Sequence, residues 1–173
     1  GSKVVLEQRG LPGNGWASAW KAACWARLGN GAKAMDNFVF AMHNYTTNSL
    51  FSICSRAMQV DGSFGMAAAV AEMVLQSHEN ELNFLPALPE SWKDGEVNGL
   101  VARGGFEVGL RWAAGRLEQA TIISKIGNTC RVRSTKALKV VSGTKTVRVT
   151  KPENDVWEFK TALGASYKLT FIK

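Results

Sequence analysis

One carboxylate in this sequence stands where the backbone can aim it. Asp61 lies in Gln59-Val60-Asp61-Gly62-Ser63-Phe64-Gly65, and glycine on one side lets a chain bend tightly enough to direct a side chain at a ligand. A carboxylate held that way can give or take a proton, the work of a general acid or base. The same residues meet a plainer need, because Asp, Ser and Gly at a helix start are what N-terminal capping uses. On the local pattern alone the cap is the favoured reading. Glu72 and Glu79 lie seven residues apart along a helix. They run along its side and form no geometric pair with a carboxylate at its mouth.

The remaining reactive residues exclude more than they offer. Cys24, Cys54 and Cys130 are an odd number at wide spacing, without the paired Cys or Cys-His cluster of a structural zinc site. No metal and no cofactor is expected. One disulfide is left open with its pair unspecified, and Cys24 reads as a small buried hydrophobe. His43 falls near a helix end, where a solvated or capping imidazole is expected. Three indoles crowd one segment. At 100° per residue Trp16, Trp20 and Ala23 share one face, with Trp25 opposite. Indole faces can hold the apolar patches of pyranose rings, while core packing is expected for at least two of the three. Nucleophile elbows, phosphate-binding glycine loops and dinucleotide fingerprints are absent from the sequence.

The elements that would position these residues change character midway. Residues 1–13 hold a short Val4-Val5-Leu6 run and a turn-rich approach, Arg9-Gly10-Leu11-Pro12-Gly13. A helix is predicted from Asn14 or Gly15 to Leu28, stopped by Gly29-Asn30-Gly31. A second follows over 32–45, with Met35, Phe38, Val39 and Met42 on its apolar face, antiparallel to the first because the connection is short. An irregular loop over 44–58 then delivers Asp61. The third helix is predicted from Phe64, burying Phe64, Ala67, Ala68, Ala71, Val74 and Leu75, and closing at 76–80.

After Glu81 the pattern is strand-like. Pro86 and Pro89 suit an extended crossing. Strands are predicted over 82–85, 96–100, 105–112, 117–124, 129–133, 137–141, 144–150, 156–160 and 166–172. Turns are expected at 113–116 and 142–143, and Gly104-Gly105 marks a turn or bulge before a strand. The fold class is therefore α+β. Residues 1–80 read as the last helices of a larger α-helical domain, and 81–173 as an antiparallel, sandwich-like β domain.

A chain of 173 residues with 46% hydrophobic composition suits one domain or two small ones with a packed core. No apolar run reaches the roughly 20 residues of a membrane helix. Gly1-Ser2 reads as an expression scar. The formal charge of +7 is concentrated late: from Lys125 onward there are eleven Lys or Arg against Glu153, Asp155 and Glu158. A basic surface can attract polyanions. Here the cations alternate with strand formers in Thr144-Lys145-Thr146-Val147-Arg148-Val149-Thr150, which reads as a sheet edge protected by charge. Neither a nucleic-acid nor a membrane partner is expected.

Several stretches in collinear order resemble one family. They are Gly15-Trp16-Ala17-Ser18-Ala19-Trp20-Lys21, Trp25-Ala26-Arg27-Leu28-Gly29, Gln59-Val60-Asp61-Gly62-Ser63-Phe64-Gly65, Ala71-Glu72-Met73-Val74-Leu75-Gln76-Ser77-His78, Leu85-Pro86-Ala87-Leu88-Pro89 and Ala102-Arg103-Gly104-Gly105-Phe106-Glu107-Val108. Together they resemble the C-terminal portion of glycoside hydrolase family 95, α-L-fucosidases and related α-L-galactosidases. The resemblance implies the last helices of an (α/α)6 barrel followed by a β domain, and hydrolysis with inversion. It implies Asp61 as a catalytic residue on the general-base side, reversing the local preference for a cap, with Gln59, Ser63 and Trp16 as substrate contacts. Ser63 stands where the family has Asn, and Ser55-Arg56-Ala57-Met58 where many members have His-Pro-Pro-Phe. The implied substrate is a fucosylated oligosaccharide or a plant or host glycan, met outside the cytoplasm in a secreted or periplasmic enzyme. The general acid and the water-orienting asparagines fall in no segment of this sequence. This chain is therefore expected to need the N-terminal part of the same enzyme and to be inactive alone. The rival expectation is a noncatalytic carbohydrate-binding or structural module with Asp61 as a cap.

Overall fold

The structure, a computed structural model, describes residues 1–171. The chain divides into two compact units: Gly1–Val74 with Pro86–Ser91, and Leu75–Leu85 with the residues from Trp92 onward. Helices make the first and strands the second, an α+β chain.

In the helical unit α1 (Ser2–Arg9), α2 (Gly15–Arg27), α3 (Gly31–Asn44) and α4 (Val60–Val74) follow in order. The turn-rich approach expected over 1–13 is corrected at its start, where α1 forms and buries Leu6. What holds the following turn is Lys21, buried on α2. Its Nζ donates to the carbonyls of Gly10, Leu11 and Pro12 at 2.7, 2.7 and 3.0 Å. Three acceptors make a buried ammonium tolerable, although burial and the nearby Arg9 charge still push its pKa down. Asn14 and Asn30 cap α2 and α3, each Oδ1 accepting an N–H three residues on at 3.0 Å.

The short Gly29 turn folds α3 back antiparallel on α2, as the spacing predicts. Lys33 near the start of α3 sits 4.4 Å from the Trp25 ring near the end of α2. Ala19, Ala41 and Met66 meet in one cluster with Phe38 against it. The buried face of α3 carries Ala34, Asn37 and Ala41. The expected face is thus corrected: Met35, Phe38 and Met42 are half-buried flanks and Val39 is exposed. Small residues take the contact line because they let helix axes approach.

Helix α4 runs beside α2 in the same direction. A Cβ on Gly62 would stand 3.2 Å from the Gly15 carbonyl carbon, and one on Gly65 would stand 2.9 Å from Ala19 Cβ. Further along, Arg27 reaches Glu72. Contacts that advance together along both helices define parallel neighbours. This seam corrects the expected face over most of α4, which buries Gly62, Met66, Ala69 and Met73 along with the expected Val74, while Phe64 is 72% exposed and Ala67 and Ala68 are exposed. Nor is the 44–58 loop irregular throughout. Thr46 bridges Ser52, and β1 (Ile53–Cys54) pairs with β2 (Ala57–Met58) as a small hairpin. All three cysteines are free thiols.

Helix α4, the third of the predicted helices, stops at Val74, earlier than expected, because β3 (Leu75–Gln76) pairs with β4 (Leu82–Phe84). Then come β5 (Gly95–Ala102), β6 (Phe106–Ala113), β7 (Arg116–Ser124), β8 (Cys130–Arg133), β9 (Leu138–Ser142), β10 (Lys145–Thr146), β11 (Thr150–Glu153), β12 (Val156–Phe159) and β13 (Ser166–Phe171). The final residue of the predicted last strand, Ile172, lies outside the described residues. One sheet runs β10-β9-β13-β7-β6-β5 and the other β11-β12-β8-β4-β3. The first is antiparallel throughout. In the second, β4 lies parallel to β8, which corrects the all-antiparallel expectation. The sheets meet where the Phe159 and Tyr167 rings stand 5.5 Å apart, over a core that includes Val108, Ile122, Val132 and Leu169.

The predicted strand over 144–150 is broken. Lys145 and Thr146 pair with β9, and Val147 still donates to Val140. The chain then crosses to the other sheet at Thr150. Both pieces are edge strands, and exposed Lys145, Arg148, Lys151 and Pro152 there guard against edge pairing.

Candidate active site

Asp61 lies in the first turn of α4, exposed. Its Oδ1 accepts the neighbouring Gly62 N–H at 3.1 Å. Among the described residues no N–H two or three positions on reaches it, as a side-chain cap would require. Helix N-termini carry partial positive charge, so the place suits an anion.

The turn that presents Asp61 is built by close approach. Gly15 and Gly62 face each other across the start of the α2–α4 seam, and the Ser52 side chain fits between them. A Cβ on either glycine would overlap Ser52 Oγ. Ser52 in turn anchors the loop, its N–H donating to Ser63 Oγ at 3.0 Å and its carbonyl accepting the Gln59 N–H at 2.7 Å. Gln59 Oε1 accepts the Trp16 N–H at 2.8 Å, satisfying a free donor at the start of α2. The expected contacts Gln59, Ser63 and Trp16 therefore stand together with Asp61 around the starts of two parallel helices. Gln59 and Ser63 also hold the frame.

Two stripes extend from this point. Trp16, Trp20, Ala23 and Arg27 on α2, and Asp61, Gly65, Ala68 and Glu72 on α4, share the same spacing of four, seven and eleven residues. Each therefore follows one face of its helix. Arg27 Nε and Nη2 donate to the two Glu72 oxygens at 2.5 and 2.7 Å, so the stripes lie on one side of the helix pair. Trp16 and Asp61 head them at the near end, about 16 Å from that ion pair by helical rise. Glu72 holds the Arg27 guanidinium charged, raising its pKa mainly through their hydrogen bonds.

Trp16 and Trp20 are 47% and 39% exposed and Trp25 is 3% exposed. Only one of the three indoles is core, a correction to the expectation of two. Trp16 and Trp20 stack, with centroids 6.5 Å and planes 14° apart. Ser52 and the Arg27–Glu72 clip were not foreseen. No local pattern marks Ser52, and the clip needs the parallel register of two helices 45 residues apart. The described residues hold no cluster of three or more His, Cys, Asp or Glu that could bind a metal ion.

Comparison with known proteins agrees with this arrangement of a helical unit bearing a carboxylate and an indole, followed by strands. Residues 1–74 match the glycosyl hydrolase family 95 catalytic domain. Residues 76–169 match the glycoside hydrolase family 95 C-terminal domain. The chain belongs to glycoside hydrolase family 95. It is 44% identical over 127 residues to "Alpha-L-fucosidase 2" of Arabidopsis thaliana, covering 66% of this chain and 15% of that protein. It is 30% identical over 134 residues to "Probable alpha-fucosidase A" of Aspergillus oryzae, covering 68% of this chain and 18% of that protein. The chain thus spans less than a fifth of the length of either relative.

Proposed function

We propose that this chain is the C-terminal part of an inverting glycoside hydrolase that releases L-fucose, or L-galactose, from α-linked glycans, with Asp61 on the general-base side. The observation that carries the reading is Asp61 on α4 and exposed Trp16 on α2 at the same end of one side of this helix pair. A sugar ring stacked on an indole beside a carboxylate has its anomeric carbon within reach of a proton acceptor. The relatives' printed names support the choice of sugar.

Inversion needs an acid at the leaving oxygen and a base that activates water across the ring, roughly 6.5–9.5 Å apart. Asp61 serves as part of the base system. Glu72 is engaged by Arg27 far along the helices, so the acid belongs to the rest of the enzyme. Parallel α2 and α4 packed on each other, with α3 antiparallel to α2, support the reading as the last helices of an (α/α)6 barrel, and the two sheets support a sandwich-like domain after it. Trp16 offers its ring to the sugar. Gln59 would use its amide N–H groups and Ser63 its hydroxyl proton, because Gln59 Oε1 and Ser63 Oγ already accept within the frame. The substrate is a fucosylated oligosaccharide or a plant or host glycan, and the working place is extracellular or periplasmic.

Asp61→Asn in the complete enzyme tests this. With an α-1,2-fucosyllactose followed by NMR, the parent enzyme releases the β anomer first. The variant folds as before and is about 10²- to 10⁴-fold slower. A variant with the parent's rate overturns the role of Asp61 and leaves a binding or structural module.

A further inference from the structure

The β unit holds a second place built to receive a charged ligand, and it owes nothing to Asp61. A cavity of about 270 Å³ opens between the β6–β7 turn and the loop after β8. Among the described residues, every charged side chain lining it is cationic: Arg116, Arg133 and Lys136. Its apolar wall is Phe84 and Phe171, which meet edge to face at 6.5 Å.

The cations are set on rigid supports. Arg116 follows a tight turn in which Ala114 and Gly115 have φ of 49° and 70°. Arg133 Nε donates to Glu81, whose side chain is 5% exposed. That pairing fixes the guanidinium by one nitrogen, and its other amino groups remain chemically able to donate. Lys136 is held by Ser134, whose Oγ accepts the Lys136 N–H at 3.0 Å and donates to the Lys136 carbonyl at 2.9 Å. Ser134 is itself pinned. Its N–H donates to the Asp155 carbonyl at 2.7 Å, and its carbonyl accepts Trp157 Nε1–H at 2.9 Å. Of the three cations the Arg133 guanidinium is fixed in advance, while the supported backbone sets where Arg116 and Lys136 stand and their side chains order as an anion binds.

We propose that this cavity binds an oxyanion, carboxylate or sulfate, carried on a sugar ring of an acidic glycan. The guanidinium groups of Arg116 and Arg133 offer planar, paired donors that match an oxyanion, and Lys136 adds a point charge. The Phe84 and Phe171 rings suit the apolar face of a pyranose. Nucleic acid fits less well, since the cations surround one pocket of monosaccharide size with no exposed aromatic strip for successive bases. The basic excess of this half of the chain would draw the polymer in before the pocket engages it.

Titration of the chain with oligogalacturonate, a sulfated galactan oligomer and a neutral oligosaccharide of equal length tests the assignment. Binding of the carboxylated or the sulfated probe is expected, and the stronger of the two identifies the oxyanion. The neutral oligomer should bind at least about tenfold more weakly. The variant R116Q/K136Q changes two exposed side chains, so its melting temperature should stay the same while affinity for the charged probe falls about tenfold or more. Equal binding of the neutral oligomer, undiminished binding by the variant, or tighter binding of duplex DNA than of either acidic glycan would each overturn the proposal. None of these outcomes depends on hydrolysis, so the reading of Asp61 stands or falls separately.

Discussion

Gly62 governs the placement of Asp61 more than any side chain near it. Alanine in a helix is ordinarily better than glycine by about 1 kcal/mol, so a helix-propensity argument makes Gly62→Ala stabilising. Packing gives the opposite sign. The new methyl would overlap Ser52 Oγ and lie 2.9 Å from Ser52 Cβ, with the Gly15 backbone behind. The Ser52 hydroxyl can rotate, but its Cβ is held by backbone bonds to Ser63 and Gln59, so that contact is not relieved without releasing the loop. Overpacking of this kind costs about 1–3 kcal/mol. Urea unfolding of Gly62→Ala should show a net loss of stability, and a gain would mean that the seam is looser than it stands here. The sequence made Asp61 legible through its glycines. It hid why they are there, because a glycine that permits close approach and one that permits a turn look alike.

At the level of elements, the helices and most strands could be read from periodicity and turn residues, while the register of α4 could not. Phe64, Ala67, Ala68 and Ala71 form an apolar stripe as regular as the one that is buried. A helix that is apolar on most sides leaves the choice to its neighbours. The neighbour here is α2, and the choice falls on the stripe that begins with Gly62. Similarly, 144–150 has unbroken strand propensity, yet it is divided between two sheets, because pairing partners and not propensity decide where a strand ends. The Arg27–Glu72 pair measures the α2–α4 register directly. It is bidentate but Arg27 is more than a third exposed, so solvent screens much of its attraction. A double-mutant cycle with Arg27→Met and Glu72→Gln should give a coupling of about 0.5–1 kcal/mol. Zero coupling would mean that solvent screens the pair completely and that it adds nothing to holding the register.

On the scale of the whole chain, Lys21 and Cys130 answer alkali in opposite senses, one in each unit, and in the helical unit Lys21 also works against Cys24, whose thiol burial pushes up. Burial and Arg9 lower the pKa of Lys21 in the helical unit below its ordinary 10.5. Between that lowered value and 10.5 the unfolded chain binds more protons than the folded one, so the Lys21 contribution to stability rises with pH. In the β unit, burial pushes the Cys130 thiol from 9.0 up to about 12. There the folded chain keeps a proton that the unfolded chain has lost. Stability therefore falls from pH 9.0 toward 12, with a limiting slope of about 1.4 kcal/mol per pH unit. Chemical unfolding across pH 8.5 to 10.5, followed by helix and strand signals, separates the two when each variant is compared with its parent. Cys130→Val should flatten the alkaline loss of the strand signal, and Lys21→Met should remove the opposing Lys21 contribution from the helical signal and leave the fall that the raised Cys24 thiol contributes there. If Cys130→Val loses stability above pH 9.0 as steeply as the parent over that range, the thiol is not sealed in the core of the β unit. The same pair of measurements asks whether Leu75, where helix gives way to strand, divides two folding units or only two kinds of secondary structure. Units that unfold independently show the two pH trends in separate signals, whereas a single cooperative unit shows their sum in both.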